Sequence, residues 1–196
     1  MLLLLPLYFN MCLFPLIGAS SSDFITLSPL SIYYQNVRGL NSKTVEFYNN
    51  ISISNFDLIA LSETWLRNDF HNSEIFPPDF VVFRKDRDLN LLNVSRGGGV
   101  LLAAKSSLSV KAIVFDSDVL NQLGNIDVVG IKIATGDKSL VVFVTYFPPG
   151  LNSNNFSTFV DVVHSFQFIY GSNVIFVGDF NIPDFHSTFS SGRIVG

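Results

Sequence analysis

Short apolar segments that end or begin at a polar group recur along this chain, and they limit its possible folds more than any other feature. Five of them stand in order: Gln-Asn-Val-Arg-Gly at 35–39, Ser-Glu-Thr-Trp-Leu at 62–66, Arg-Gly-Gly-Gly-Val at 96–100, Tyr-Phe-Pro-Pro at 146–149 and Gly-Asp-Phe-Asn at 178–181. In α/β proteins, the ends of buried strands carry acids, amides and phenols to one edge of a sheet. The pattern therefore predicts an α/β fold with polar side chains gathered at such an edge.

The periodicity of apolar residues predicts strands that alternate with helices on a largely buried sheet. Strands are predicted at 28–37, 56–61, 98–104, 108–115, 126–134, 140–146 and 173–177, and the segment 76–84 is predicted to contain a Pro-Pro turn followed by a strand. We expect 108–115 to pair with 98–104. The turn sequence at 135–138 predicts a hairpin between 126–134 and 140–146, which makes the sheet mixed.

Two helices are predicted, and the sequence shows no internal repeat and no domain linker. The first spans about 41–55, with Val45, Tyr48 and Ile51 on its buried face. The second has Asn154 or Asn155 as its cap. Its apolar stripe consists of Phe156, Phe159, Val160, Val163 and Phe166. The tail at 182–196 shows no element of its own.

Composition narrows the class of protein. The chain has 196 residues, 48% of them hydrophobic and 14% charged, with twenty Phe, which excludes a disordered chain and suits one domain. Its net charge of −4 and lack of a Lys/Arg run count mildly against nucleic-acid binding but do not exclude it, because a metal site lined by carboxylates is itself acidic. The single cysteine, Cys12, excludes an intrachain disulfide and a cysteine zinc site.

The first 22 residues form an apolar leader, and 23–196 form the domain. Three interpretations of the leader stay open. A signal peptide suits the apolar run but lacks a basic start, a membrane anchor is disfavoured by Pro6 and Pro15, and the third is non-native sequence. A membrane is a partner only if the leader is an uncleaved anchor. A signal peptide would direct the chain to the secretory pathway.

Glu63 and Asn36 are the candidate metal-site residues. Glu63 follows the buried strand at 56–61, where a carboxylate is well placed to hold a cation such as Mg²⁺. Its alternative role is a helix cap or a surface glutamate. Asn36 ends the first strand, where it would orient Glu63 or contact the metal, and its alternative role is that of a turn residue.

Asp179, Asn181 and Tyr146 are the candidate catalytic residues. On an extended segment Asp179 and Asn181 share a face, so Asp179 would hold an attacking water and Asn181 would contact metal or phosphate; the alternative is an ordinary turn. Tyr146 precedes the rigid pair Pro148-Pro149 and would donate to a phosphate oxygen, the alternative being a core tyrosine. The glycines at 97–99 precede a strand rather than a helix, so close backbone packing explains them better than a phosphate-binding loop.

In order, spacing and identity, these motifs resemble the endonuclease/exonuclease/phosphatase superfamily, most closely the endonuclease domain of LINE-type non-LTR retrotransposons. The resemblance runs from about residue 32 to 183 and includes the Phe-Arg-Lys-Asp-Arg segment at 83–87. It implies a four-layer α/β sandwich of two packed mixed sheets. It also implies a DNA endonuclease that needs Mg²⁺, for which Mn²⁺ can substitute, with DNA as partner and no defined protein partner. A chain of transposon origin without a signal peptide would be nuclear.

If the roles of the family's motif residues are transferred to the matching positions of this chain, the resemblance implies that Asn36 and Glu63 are metal-site residues. It implies that Tyr146 is the phosphate-contacting phenol. Asp179 and Asn181 become the pair that activates water and contacts phosphate or metal. The family pattern continues with further strands, another Asp and a C-terminal Ser-Asp-His motif, which nothing after Asn181 supplies. We therefore expect a fold incomplete at its C-terminus, with weak or no activity. The alternatives are a phosphoinositide or small-phosphoester phosphatase of the same fold, and a non-catalytic relic or binding fragment.

Overall fold

Two mixed β-sheets pack face to face, with helices on both outer faces. The computed structural model describes residues 12–13, 30–87, 97–135, 138–170, 173–181, 189–190 and 193–194. The strands are β1 (Cys12–Leu13), β2 (Ile32–Asn36), β3 (Leu58–Ser62), β4 (Phe80–Lys85), β5 (Val100–Lys105), β6 (Val110–Ala112), β7 (Asp127–Thr135), β8 (Lys138–Tyr146), β9 (Asn173–Asp179), β10 (Phe189–Ser190) and β11 (Arg193–Ile194). The helices are α1 (Thr44–Ser52), α2 (Ser117–Leu123) and α3 (Ser153–Tyr170), with a 3₁₀ turn at Asn72–Glu74.

Each sheet contains one parallel pair of strands joined by a helix. The first sheet has the order β2-β3-β5-β4. Its parallel pair is β2 and β3, and α1 connects these two strands. The second sheet has the order β1-β9-β8-β7-β6. Its parallel pair is β8 and β9, and α3 connects these two strands. Because the carboxyl ends of parallel strands lie at one edge, each pair delivers the residues that follow it to a common place.

Among the described residues, the buried side chains form three clusters that separate four layers. Between the sheets lie small and aliphatic side chains such as Leu102 and Val142, both fully buried. Phe47 and Ile51 of α1 pack on the outer face of the first sheet. An aromatic cluster lies between α3 and the second sheet, where Phe143 stacks on Phe176 with ring centroids 4.7 Å apart. The predicted four-layer α/β sandwich with two mixed sheets is confirmed.

The pairing predicted for the strand at 108–115 is wrong. This strand, β6, pairs with β7 in the second sheet, with Val110 opposite Ile133. In the first sheet, β5 already has β3 on one side and β4 on the other, so both of its hydrogen-bonding edges are used. The predicted hairpin of β7 and β8 is confirmed, because Thr135 lies opposite Lys138.

The helices differ from the prediction in three respects. Val45 is 75% exposed, and the buried face of α1 is formed instead by Phe47 and Ile51, four residues apart. The oxygen Oδ1 of Asn152 accepts hydrogen bonds from two backbone N–H groups at the start of α3, so this residue rather than the next asparagines is the cap. Helix α2 was not predicted, and its seven residues carry too short a stripe to be recognised.

The two ends of the chain are described only in part. The short strands β10 and β11 pair antiparallel with each other in the tail that was predicted to lack elements. The interpretations of the leader at 1–22 fall outside the described residues apart from Cys12–Leu13, which pairs with β9. None of the helices in the described ranges is long and apolar enough to cross a membrane.

Candidate active site

Two cross-sheet contacts bring four of the predicted site residues together. Asn36 ends β2 of the first sheet, and its Nδ2 donates to Oδ2 of Asp179, which ends β9 of the second sheet, over 2.8 Å. Glu63 directly follows β3, and its carboxylate acts electrostatically on the phenol of Tyr146, which ends β8. The carboxyl ends of the β2–β3 pair and of the β8–β9 pair therefore meet. Each of the two contacts joins a residue from the first pair of strands to a residue from the second.

The backbone at this edge is held in an uncommon conformation. In the described part of the chain, the non-glycine residues with positive φ are Arg38 (φ 44°), Glu63 (φ 53°), Trp65 (φ 53°) and Asn181 (φ 42°). All four are predicted site residues or lie two positions after one. Left-handed backbone is unfavourable for such residues and persists where the surrounding structure enforces it, commonly at functional sites.

Hydrogen bonds to the glycine-rich segment and to the loop after β2 enforce the conformation around Glu63. Its carbonyl oxygen accepts from the N–H of Gly39 over 2.8 Å. The N–H groups of the next two residues donate to the carbonyls of Gly99 and Gly98 over 3.2 and 3.1 Å. The carboxylate of Glu63 is thus carried by a backbone that is fixed on both sides.

Asp179 and Asn181 do not share the face of an extended strand, so that part of the prediction is wrong. Asn181 lies in the left-handed region, and its N–H turns back to Oδ1 of Asp179 over 3.2 Å. Its side-chain Nδ2 donates to the carbonyl of Phe147 over 2.7 Å. Asn181 therefore ties the end of β9 to the residue that follows Tyr146, and both oxygens of Asp179 accept hydrogen bonds.

The charges of the Glu63 and Asp179 carboxylates act on the phenols of two tyrosines, Tyr146 and Tyr34. Burial raises the pKa of Tyr146 to about 12, and the negative charges of Glu63 and Asp179 act in the same direction. Burial also raises the pKa of Tyr34, whose hydroxyl is 2.8 Å from Oγ of Ser62, and the charges of Asp179 and Glu63 contribute to that rise. Both hydroxyls stay protonated at neutral pH and can donate hydrogen bonds. Tyr34 was not among the predicted site residues, because its only signal is its position two residues before Asn36.

A buried ion pair lies beside Tyr146, and its two residues were not among the predicted site residues. Nε and Nη2 of Arg87 donate to Oδ2 of Asp127 over 3.0 and 2.6 Å. The guanidinium carbon of Arg87 lies over the ring of Tyr146, 5.3 Å from its centroid. Arg87 stood in the 83–87 segment that carried the family resemblance, whereas Asp127 had no signal beyond its position near the start of the strand predicted at 126–134.

The donors at this edge are of the kind that Mg²⁺ binds. Mg²⁺ is usually held by one or two carboxylates while it keeps several waters. Glu63 and Asp179 both act electrostatically on Tyr146 and on Tyr34, so their charges are concentrated in one small region, and Asn36 adds an amide oxygen beside them. Within the described ranges, no group of three or more His, Cys, Asp or Glu side chains is arranged to hold a metal ion. A cation here would therefore rely on these few oxygen atoms and on water.

Comparison with known proteins shows the fold. The sequence matches no protein-family model, and no curated protein matches it. Solved structures do match. The endonuclease domain of TRAS1, a telomere-specific non-LTR retrotransposon, is 14% identical with a TM-score of 0.55, over 85% of this chain and 65% of that domain. The human Nocturnin catalytic domain with bound sulfate anion is 14% identical with a TM-score of 0.58, over 84% and 70% of the two chains.

A third match, the AP endonuclease LMAP from Leishmania major, is 15% identical with a TM-score of 0.58, over 96% of this chain and 64% of that one. These structures are members of the endonuclease/exonuclease/phosphatase superfamily, and the chain has their fold, as the resemblance implied. It spans about two thirds of the length of the structures it matches.

Proposed function

We propose, from the premise that this chain has the endonuclease/exonuclease/phosphatase fold, that it is a metal-dependent phosphodiester hydrolase acting on DNA. The observation that carries the proposal is the meeting of Asn36, Glu63, Tyr146 and Asp179 across the two sheets. Two of the three structures described above are named as endonucleases, one of them from a non-LTR retrotransposon, which supports DNA as the substrate and a retrotransposon origin.

The oxygen donors at this edge would hold Mg²⁺, or Mn²⁺ in its place. Glu63 provides a carboxylate from a fixed backbone, and Oδ1 of Asn36 lies at the same edge while Nδ2 of Asn36 is occupied by Asp179. When bound, the cation would neutralise the charge that develops on the phosphate oxygens during cleavage.

The remaining residues supply orientation and hydrogen bonds. The phenol of Tyr146 keeps its proton at neutral pH and would donate to a non-bridging phosphate oxygen. The carboxylate of Asp179 is oriented through both of its oxygens, by Nδ2 of Asn36 and by the N–H of Asn181, and would accept the proton of the attacking water. Asn181 sets the position of Asp179 against the segment after Tyr146, and its exposed side chain would contact phosphate or metal.

Nicking of supercoiled plasmid by the full 196-residue chain tests the proposal. In keeping with the weak activity expected for a chain that lacks the C-terminal motif, we expect slow formation of nicked circles in Mg²⁺ and in Mn²⁺, none in EDTA, and a rate at least about 100-fold lower for Glu63→Gln. Asp161→Asn is the matched control, because it removes an exposed carboxylate from the outer helix α3 and should leave the rate unchanged. Circular dichroism must show that all three proteins are folded.

The other outcomes identify the alternatives. A folded chain that nicks DNA in neither metal, or a Glu63→Gln variant as fast as the parent, would contradict the proposal. Metal-dependent release of inorganic phosphate from a phosphoinositide or a simple phosphomonoester, without nicking, would indicate a phosphatase that uses the same residues. If a folded chain hydrolyses none of these substrates, it is a non-catalytic fragment.

A further inference from the structure

We propose that Arg87 and Asp127 form a latch between the two sheets that positions the Tyr146 phenol against Glu63. The latch is made of these two side chains and the backbone N–H of Gly99. The inference rests on the proposed function in that Tyr146 is the phosphate-contacting group, but its structural part can be tested without any activity.

The latch joins the sheets where the site residues meet. Arg87 lies just after β4, at the end of the first sheet, and Asp127 begins β7 of the second sheet. Oδ2 of Asp127 accepts from Nε and Nη2 of Arg87, and also from the N–H of Gly99, which precedes β5 of the first sheet, over 2.9 Å. Lys85, the last residue of β4, places its Nζ 3.8 Å from Oδ1 of Asp127. One carboxylate of the second sheet thus binds three groups of the first.

The register of the second sheet explains why this pair acts on Tyr146. Asp127 and Tyr146 are directly opposite each other in the β7–β8 pairing. Directly opposite residues project their side chains to the same face. The guanidinium of Arg87, which binds Asp127 through two nitrogens, is thereby placed over the ring of Tyr146. Its carbon lies 5.3 Å from the ring centroid, which is within the range of cation–π attraction.

Burial makes the geometry of the latch stiff. The side chains of Arg87 and Asp127 are 12% and 6% exposed. A buried ion pair contributes little net stability against an apolar replacement, but losing one partner leaves an unpaired buried charge. Such a pair is better suited to fixing a geometry than to holding the fold together, and here the geometry it fixes is that of the Tyr146 ring.

Arginine is needed for this arrangement, because lysine has no planar fork that can bind one carboxylate through two nitrogens while stacking on a ring. The guanidinium also packs against Gly98, where an added Cβ would overlap it. Arg87 is therefore a positioning residue that acts through Tyr146. It contacts one face of the ring, and the carboxylate of Glu63 acts electrostatically on the phenol.

The test uses tyrosine labelled with ¹³C in the ring and the full chain in solution. Among the six tyrosines, the signal of Tyr146 is assigned as the one lost in Tyr146→Phe. We expect Arg87→Met, Arg87→Lys and Asp127→Asn each to shift this signal. Arg84→Met is the matched control, because Arg84 forms a similarly buried pair with Asp86 at 3.1 Å, and it should leave the Tyr146 signal in place even if it lowers the melting temperature.

The rate of DNA nicking provides a second test. We expect Arg87→Met to lower kcat for nicking by about 10- to 100-fold, as the loss of a residue that orients another site residue does elsewhere, with KM little changed. In a Tyr146→Phe background, the same substitution should cause almost no further loss, because the group it positions is gone. Arg87→Lys should not restore the rate.

The proposal is overturned if the Tyr146 signal is the same in the parent, Arg87→Met and Asp127→Asn, or if Arg87→Met lowers kcat equally with and without the Tyr146 hydroxyl. If the parent chain does not nick DNA, the proposed function fails, but the labelled-tyrosine experiment still decides whether the latch positions the ring.

Discussion

Replacing Gly98 with alanine tests the packing around the latch most directly. Gly98 has a φ of +68°, and a Cβ built there would overlap the guanidinium of Arg87. The left-handed backbone alone costs an alanine about 1–2 kcal/mol. If Arg87 must also leave the buried Asp127, the broken pair adds about 3–5 kcal/mol. We therefore expect Gly98→Ala to lower the free energy of unfolding by several kcal/mol, a large part of the stability of an ordinary domain.

Urea denaturation followed by circular dichroism measures the change, and two further variants separate its causes. Gly150 also has a positive φ, of +89°, but a Cβ there would meet nothing within 4 Å, so Gly150→Ala should show the backbone cost alone. Adding Arg87→Ala to Gly98→Ala removes the overlap. In the Arg87→Ala background, alanine at Gly98 should therefore cost about as little as alanine at Gly150.

Equal destabilisation by Gly98→Ala with and without the Arg87 side chain would refute this reasoning, because the overlap would then contribute nothing. A Gly98→Ala cost no larger than that of Gly150→Ala would refute it as well. Should Gly98→Ala alone fail to fold, recovery of a folded protein on adding Arg87→Ala would still support the overlap.

Three further results are expected. Tyr146→Phe should lower the nicking rate by about 10²–10³-fold without changing the circular dichroism spectrum, because only a hydrogen-bond donor is lost, and a rate within twofold of the parent would contradict this. Phe143→Ala should lower the free energy of unfolding by about 3–5 kcal/mol in urea, because the ring is fully buried and stacked on Phe176; a loss below about 1 kcal/mol would be inconsistent with that packing. Hydrogen bonds from Ser31 lower the pKa of Asp57 below its ordinary value of 3.8, so Ser31→Ala should destabilise the protein above that pH, and the penalty should fade as the pH drops through the folded-state pKa. A penalty in urea titrations that is constant or larger in acid would contradict the last result.

The elements that sequence reasoning placed well are those specified by local pattern. The parallel strands β3 and β9 are short apolar runs bounded by polar residues, and the hairpin of β7 and β8 is signalled by its turn. Because a polar residue that directly follows a buried strand must lie at the edge of a sheet, the positions of Glu63 and Asp179 could also be inferred locally. Errors arose where the local signal was ambiguous, as at Val45, which has the spacing of a buried residue but is exposed.

The tertiary structure decided everything that depends on how the two sheets pack. Strand β6 joined β7 because both edges of β5 were taken, which no segment can show by itself. Asn36 contacts Asp179 across 143 positions of the chain, and Arg87 contacts Asp127 across 40, through side chains that carry no mark of their partners.

By itself, then, the sequence determined the α/β class, most of the strands and the polar residues at their ends, because hydrophobic periodicity and turn chemistry act over a few neighbours. Only the tertiary structure decided which of those residues share a hydrogen bond, why glycine is required at Gly98, and that Arg87 and Asp127 belong beside Tyr146. These outcomes follow from the face-to-face packing of two sheets, which brings together side chains that are far apart along the chain.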